Sequence, residues 1–409
     1  MYRYIFLAIL TLNLIYDIIL SVLSDRQKNK PLPENVRDVY DEAEYKRWRA
    51  YSAEHKRVAT IDGIISFALL LVMFGTNVFS WLYNLLPGTE FWKNVLLMAV
   101  FTLFTSIVSI PASCIKTFGI EEKYGFNKST VKTFVADEIK GLIINMILNC
   151  LLVAAVYAIG RGLTWEMYLG YLIGAVAFLG IFSMLSNVFQ KIFNKFTPLP
   201  EGELRDTLTE MFAAEGYKLK NIYVMDASRR TTKVNAYCTG LGKLKRIVLF
   251  DNLVNNYTPG EITAVFAHEL AHFKHRDTLK LTLCSYLNVA VIISAVAVFA
   301  LFPEISMEYG FDGANMAFAL ISLLCVIFTP VLKLIALPVN AFSRSCERRA
   351  DTFATRKGYG ESMISALKKL SKDNLTDLNP HPFVVKVEHS HPTLSQRISL
   401  VEEKMKEAK

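Results

Sequence analysis

Charged residues are scarce in this 409-residue chain, at 20%, and cysteine is scarcer, with six in all. Those six (Cys114, Cys150, Cys238, Cys284, Cys325 and Cys346) share no C-x-x-C spacing and no common loop, which excludes a disulfide framework and a thiolate metal site. No segment repeats and none is of low complexity, so intrinsic disorder and collagen are excluded as well. What is present is apolar surface. Hydrophobic residues make up 52% and aromatic ones 12%, and the mean hydropathy is +0.30. That is the composition of a membrane protein. The 45 basic and 37 acidic residues are nevertheless too many for a bundle wholly immersed in lipid. A polar portion must lie outside the bilayer or line a wet interior.

Seven apolar runs have the roughly twenty-residue length that spans a bilayer. They fall near 4–23, 64–86, 94–115, 142–160, 168–188, 280–302 and 315–338. The first is not a removable signal: only Arg3 precedes its apolar run, Asp17 interrupts it, and no small-residue cleavage site stands before Ser24. Loops kept in the cytoplasm carry the excess of Lys and Arg. With the N-terminus outside, the outer face holds only Arg3, Lys93 and Arg161, Lys333 lies within the seventh run, and the other 41 of the 45 basic residues are cytoplasmic. The net charge of +8 thus follows from topology, and no nucleic-acid partner is expected.

Three cytoplasmic stretches exceed simple connectors: 24–63, with an amphipathic helix expected around Asp38 to Val58, then 189–279, and a tail at 339–409. Together with a loop at 117–141, they divide the chain into helices one to five (1–188), a catalytic region (189–279), helices six and seven (280–338) and the tail. Within the middle block, 221–228, 234–240 and 246–251 are short β-rich runs, and Gly240 to Lys245 supplies a turn. A small antiparallel sheet is expected there.

Thr258-Pro259-Gly260-Glu261 combines an N-cap, a proline at the first helical position and a glutamate three residues past the cap, so a helix begins at this point. It carries His268-Glu269-Leu270-Ala271-His272. Residues four apart stack on one helical face, which lets both imidazoles reach one zinc ion. Glu269 adjoins the open coordination position, where zinc lowers the pKa of water from about 16 to about 7 and a carboxylate can accept the proton. This is the H-E-x-x-H signature of the zincins.

A catalytic zinc takes three protein ligands. The metzincin extension would need glycine at 275 and histidine at 278, and the chain has His275 and Thr278. Glu347 and Asp351, also four apart, stand just after the seventh run. Glu347 is placed to ligate and Asp351 to accept a hydrogen bond from a ligand imidazole. Taken alone, acids beside Arg344, Arg348 and Arg349 also describe a salt-bridged surface helix, and His275 is a rival ligand.

The pieces H-E-L-A-H (268–272), N-A-F-S-R-S-C-E-R-R-A-D (340–351) and S-H-P-T-L-S-Q-R-I (390–398), with I-E-E-K-Y-G-F-N-K (120–128) and V-N-A-Y (234–237), resemble the type I CAAX prenyl endopeptidases. The resemblance implies a mostly α membrane protein: a seven-transmembrane-helix barrel around a polar chamber, with a cytoplasmic-side zincin region of the gluzincin type containing the small sheet. It implies one Zn²⁺ per chain held by His268, His272 and Glu347, Glu269 as general base, and Asp351 and His391 as further catalytic residues. It also implies substrate binding by Asn235, Ala236 and Tyr237 on an edge strand, where an extended peptide adds as a further strand, and by Arg397.

The activity expected is hydrolysis of peptide bonds near the C-terminus of membrane-associated or prenylated substrates. A membrane-protein quality-control protease without a prenyl requirement is the alternative, and a seven-helix zinc transporter is another. The partners are a peptide or protein substrate and the lipid bilayer, either a bacterial inner membrane or the endoplasmic reticulum, with the site toward the cytoplasm.

Overall fold

A computed structural model describes residues 1–160, 173, 192–216, 222–239 and 246–407. Its long helices are α1 (Tyr2–Gln27), α2 (Glu42–Gly75), α4 (Glu90–Cys114) and α5 (Val131–Gly160), with the short α3 (Val78–Leu85) between the second and third of these. Among the described residues, five helices are long and apolar enough to cross a membrane: four at the N-terminal end and a fifth within Met316–Asp373. The fifth expected run, 168–188, lies outside the described residues except for residue 173. The sixth, 280–302, falls on the helix Asp277–Leu301 and ends at its C-cap, Phe302.

Two expectations about the second run need correction. The amphipathic stretch around Asp38 to Val58 and the apolar stretch after it form one helix, α2. Its start is fixed by a reciprocal cap, in which the Asp41 carboxylate accepts from Glu44 N–H at 2.7 Å and the Glu44 carboxylate accepts from Asp41 N–H at 3.2 Å. No cap or proline separates Val58 from the apolar residues, so nothing ends the helix there. Conversely, the run 64–86 is broken. Thr76 is extended, the Thr76 hydroxyl donates to the Val72 carbonyl, and the Arg3 guanidinium takes the Gly75 carbonyl and the Asn77 amide oxygen.

These contacts gather chain segments at one end of the bundle. The N-terminal ammonium pairs with Glu308 at 2.6 Å, and the Ser80 hydroxyl donates to the Tyr309 carbonyl at 2.6 Å. Beneath them Phe6, Phe74, Phe79, Phe299, Tyr309 and Phe318 are buried in one cluster, with Phe6 edge-on to Phe74 at 5.8 Å and Tyr309 against Phe318 at 4.6 Å. Aromatic edge contacts of this kind add to the burial term. Deeper in the apolar span, Lys333 donates to Asn13 (2.8 Å) and Asp17 (2.6 Å), so the two ionisable residues inside apolar runs neutralise each other.

The polar half is built on a four-stranded sheet, β1 (Phe196–Pro198), β2 (Ile222–Met225), β3 (Ala236–Thr239) and β4 (Arg246–Phe250), in the order β1-β2-β4-β3. The sheet is mixed, not antiparallel: β3 and β4 are antiparallel, but β2 and β4 pair in parallel. Both parallel strands are continuous apolar runs with buried residues on both faces, Ile222 and Met225 on one strand and Ile247, Val248 and Leu249 on the other. Strands buried on both faces are those that accept parallel pairing. The turn expected at 240–245 lies outside the described residues. Strand β1 was not foreseen; three residues ending in proline give no periodic signal.

Candidate metal centre

A helix α6 (Glu203–Ala214) packs under α7 (Pro259–Lys274), Phe212 meeting Phe266 edge-on at 5.4 Å. The expected cap of α7 is present in full. The Thr258 hydroxyl accepts from Glu261 N–H (3.2 Å) and the Glu261 carboxylate accepts from Thr258 N–H (2.9 Å). Apolar residues on nearly every side, Ile262, Ala264, Phe266, Ala267, Leu270 and Ala271, bury α7 against its neighbours. One such neighbour is α10 (Phe328–Ala354), which follows α8 (Asp277–Leu301) and α9 (Met316–Ser322). The seventh apolar run therefore continues without interruption into the helix bearing Glu347 and Asp351, and the division expected at 338/339 falls inside α10.

This packing brings His268, His272 and Glu347 together. The two Nε2 atoms are 3.1 Å apart, and Glu347 places Oε2 at 3.3 Å from His268 Nε2 and Oε1 at 3.3 Å from His272 Nε2. Each imidazole is held from behind through Nδ1: His268 by Asp351 at 2.9 Å, and His272 by Asp277 at 3.1 Å. A carboxylate on Nδ1 fixes the hydrogen there and leaves the Nε2 lone pairs facing each other and Glu347. Glu347 Oε2 is buried without a hydrogen bond. Burial depresses the basicity of His268, but Asp351 and Glu347 outweigh it and push its pKa up to about 9. For His272, burial is likewise overcome by Glu347, and its pKa is raised. These three residues can hold a metal ion at their centre once the imidazoles give up their Nε2 protons. An ion bound at about 2.0–2.1 Å by tetrahedral donors has them about 3.3 Å apart, close to the separation of the two nitrogens and to that of each nitrogen from its nearer Glu347 oxygen, and nitrogen and oxygen donors suit zinc.

Around the trio, Arg397 pairs with Asp351 at 2.6 and 2.8 Å, and its Nη2 lies 3.8 Å from Glu347. Arg397 sits on α13 (Leu394–Glu407), which is preceded by α11 (Gly360–Asp373) and α12 (Pro382–Glu388). His391 is exposed, with Nε2 3.4 Å from Glu347 Oε1. Glu269 is half-buried, and its charge raises the basicity of both His272 and Arg397. His275 caps the end of α7 outside the trio. Asn235 is exposed, its side-chain oxygen accepting from Ala236 N–H at 2.8 Å, at the head of the edge strand β3. Strand β3, with Ala236 and Tyr237, lies beside α7.

Two members of the site were missed in sequence. Asp277 and Arg349 complete the support of His272, the Arg349 guanidinium donating to Asp277. A signal existed: Asp277 follows Arg276, a left-handed residue (φ 56°) that folds the chain back after α7, and an acid five positions after a ligand histidine can then reach its Nδ1.

Residues 23–195 match the CAAX prenyl protease N-terminal region, described as five membrane helices, and residues 198–405 match peptidase family M48. A CAAX prenyl protease 1 homolog of Oryza sativa subsp. japonica is 30% identical, over 97% of this chain and 96% of the relative. CAAX prenyl protease 1 of Saccharomyces cerevisiae is 29% identical, over 93% and 92%. The crystal structure of S. mikatae Ste24p superimposes with a TM-score of 0.87 at 26% identity, over 98% of this chain and 99% of that one.

Proposed function

The chain belongs to peptidase family M48 and is a multi-pass membrane metallopeptidase, and on that premise we propose that it is a zinc endopeptidase cutting near the C-terminus of prenylated substrates. The observation that carries the reading is the convergence of two imidazole nitrogens, 3.1 Å apart, on one carboxylate, each nitrogen 3.3 Å from one of its oxygens and each imidazole fixed from behind by another carboxylate. His268, His272 and Glu347 would hold one zinc ion per chain, which would supply the Lewis acidity to polarise a carbonyl and acidify water.

The chain's own groups do the rest. Glu269, next to His268 on α7, accepts the proton from the attacking water and returns it to the leaving amine. Asp351 and Asp277 keep the ligand imidazoles in one tautomer. Arg397, expected to bind substrate, is paired with Asp351 instead; it neutralises that carboxylate and so preserves the hydrogen bond to His268. His391, exposed beside Glu347, is placed to donate a hydrogen bond to the oxygen on which charge develops. The substrate lies extended along β3, paired by main-chain hydrogen bonds through Ala236 and Tyr237, with Asn235 at the strand's head. The third ligand, a glutamate, makes the region gluzincin-like. The barrel of seven spans follows if 168–188 and 280–302 join the five apolar helices.

Main-chain pairing selects loosely, so discrimination must come from access and from the lipid, which adds roughly 0.8 kcal/mol per CH₂ buried between helices. A prenylated C-terminal peptide should be cut just after its modified cysteine, and the same peptide without lipid more slowly, as read by mass spectrometry of the products. Equal rates on the two would favour a quality-control protease. No cleavage of either by zinc-loaded protein would favour a transporter.

The site faces the cytoplasm in this reading, and eukaryotic relatives favour the endoplasmic reticulum over a bacterial inner membrane. The loop 303–314 carries Glu304, Glu308 and Asp312 but no Lys or Arg, and it meets the N-terminus at the end of the bundle closed by the aromatic cluster. A cysteine introduced there should label only from the non-cytoplasmic side. Cytoplasmic labelling would reverse the orientation.

A further inference from the structure

The motif 120–128 takes no part in the metal chemistry, yet it is bonded to the segment that leads into β3. Residues 126–128 lie alongside 230–232: Thr232 N–H donates to the Phe126 carbonyl at 3.1 Å, Lys128 N–H to the Arg230 carbonyl at 2.9 Å, and Asn127 faces Thr231 in an antiparallel bridge. The Thr232 hydroxyl reaches the Gly125 carbonyl at 3.2 Å. α4 continues in a helical segment, Ile115–Glu121, and Gly125, with φ +80°, makes the left-handed turn that swings the chain from the end of that segment onto this one.

The following residues are held from other elements. Asn252 Nδ2 donates to the carbonyls of Thr231 (2.8 Å) and Lys233 (3.1 Å). Asn374, at the end of α11, clasps Val234 through both its N–H and its carbonyl, each at 3.0 Å. The Lys233 ammonium is drawn to Glu121, 2.9 Å from Oε2. Glu121 also accepts from Tyr51 (2.6 Å) and lies 2.9 Å from His55 Nε2, both on α2. Three polar side chains thus meet at a carboxylate that joins α2, the helical segment Ile115–Glu121 and the strand leader.

A strand leader this fully bonded does more than satisfy its backbone. In a sheet, sliding a strand by one residue exchanges its two faces, and at an active site a misplacement of about 1 Å costs roughly 10²-fold in rate. We propose that Glu121, Lys233 and Asn374 are positioning residues that set the register of β3 relative to His268 and His272, and thereby choose which bond of an extended substrate is cut. The proposal rests on the reading of β3 as the strand that receives the substrate. It makes the 120–128 motif a specificity element contributed by the membrane helices.

The test uses full-length protein in detergent and one prenylated peptide, with products identified by mass spectrometry and zinc measured in parallel. Wild type should cut a single bond. Lys233→Met/Asn374→Ala should keep its zinc, lower kcat more than it raises KM, and place about a tenth or more of the product at neighbouring bonds. Lys233→Arg alone, which can still reach Glu121, should keep single-bond cleavage, whereas Lys233→Met alone should spread it. If the double variant does not accumulate, Glu121→Gln, which keeps the side-chain volume, should show the same spread. Single-bond cleavage by every anchor variant, whatever the rate, overturns the register claim alone. A zinc-loaded wild type that cuts nothing overturns the claim together with the proposed activity.

Discussion

Glu269→Gln is expected to purify with one zinc per chain and to hydrolyse peptide at a rate lower by about 10²–10⁴-fold, the range contributed by a well-placed general base. Glutamine has nearly the volume and reach of glutamate, and residue 269 lies outside the ligand trio of His268, His272 and Glu347. The change therefore removes proton acceptance, and with it the charge felt by His272 and Arg397, while keeping the side chain's size. Metal analysis by mass spectrometry beside a quenched-peptide assay separates the two quantities. Full activity in a zinc-loaded Glu269→Gln protein would require another base and would remove the central step of the mechanism.

The second large effect concerns the metal itself. In Glu347→Ala, two Nε2 atoms 3.1 Å apart remain with no anionic donor. Zinc affinity should fall by more than the roughly 10–100-fold that follows loss of a ligand's hydrogen-bond partner. Retention of full zinc and activity would place the third ligand elsewhere, with His275 first to be tested. The same measurement carries a pH dependence. Without metal, His268 holds its proton up to a pKa of about 9, and zinc must displace that proton. Apparent affinity should therefore decline as pH is lowered through that value, by up to about tenfold per unit for this one histidine.

The parts of the site legible in sequence are those written locally. A capping box, a four-residue spacing of histidines and a four-residue spacing of acids each need only helical geometry, and Glu347 and Asp351 do share the face turned to α7. Their arginine neighbours on α10 left open a salt-bridged surface helix. Asp351 is instead buried and paired with Arg397, 46 residues away. Long-range pairings of this kind have no periodicity to read. The same reason hid the pairing of Arg349 with Asp277, the parallel pairing of β2 with β4, and the seating of 126–128 on the strand leader. The break at Thr76 was missed because hydropathy does not register backbone capture: Arg3 reaches the Gly75 carbonyl across 72 residues of sequence.

The pairing of Asp17 with Lys333 has a consequence for how the protein is made. The two residues are 316 positions apart, and at about 5–20 residues per second a ribosome takes roughly 15 to 60 s to travel between them. Throughout that interval the first helix holds a carboxylate whose partner has not been synthesised, at a cost of about 2.5–3.5 kcal/mol if it sits at mid-bilayer. The nascent helix must therefore wait with Asp17 near the interface or shielded by the insertion machinery. Closure of the first helix against the last is one of the final events in assembly.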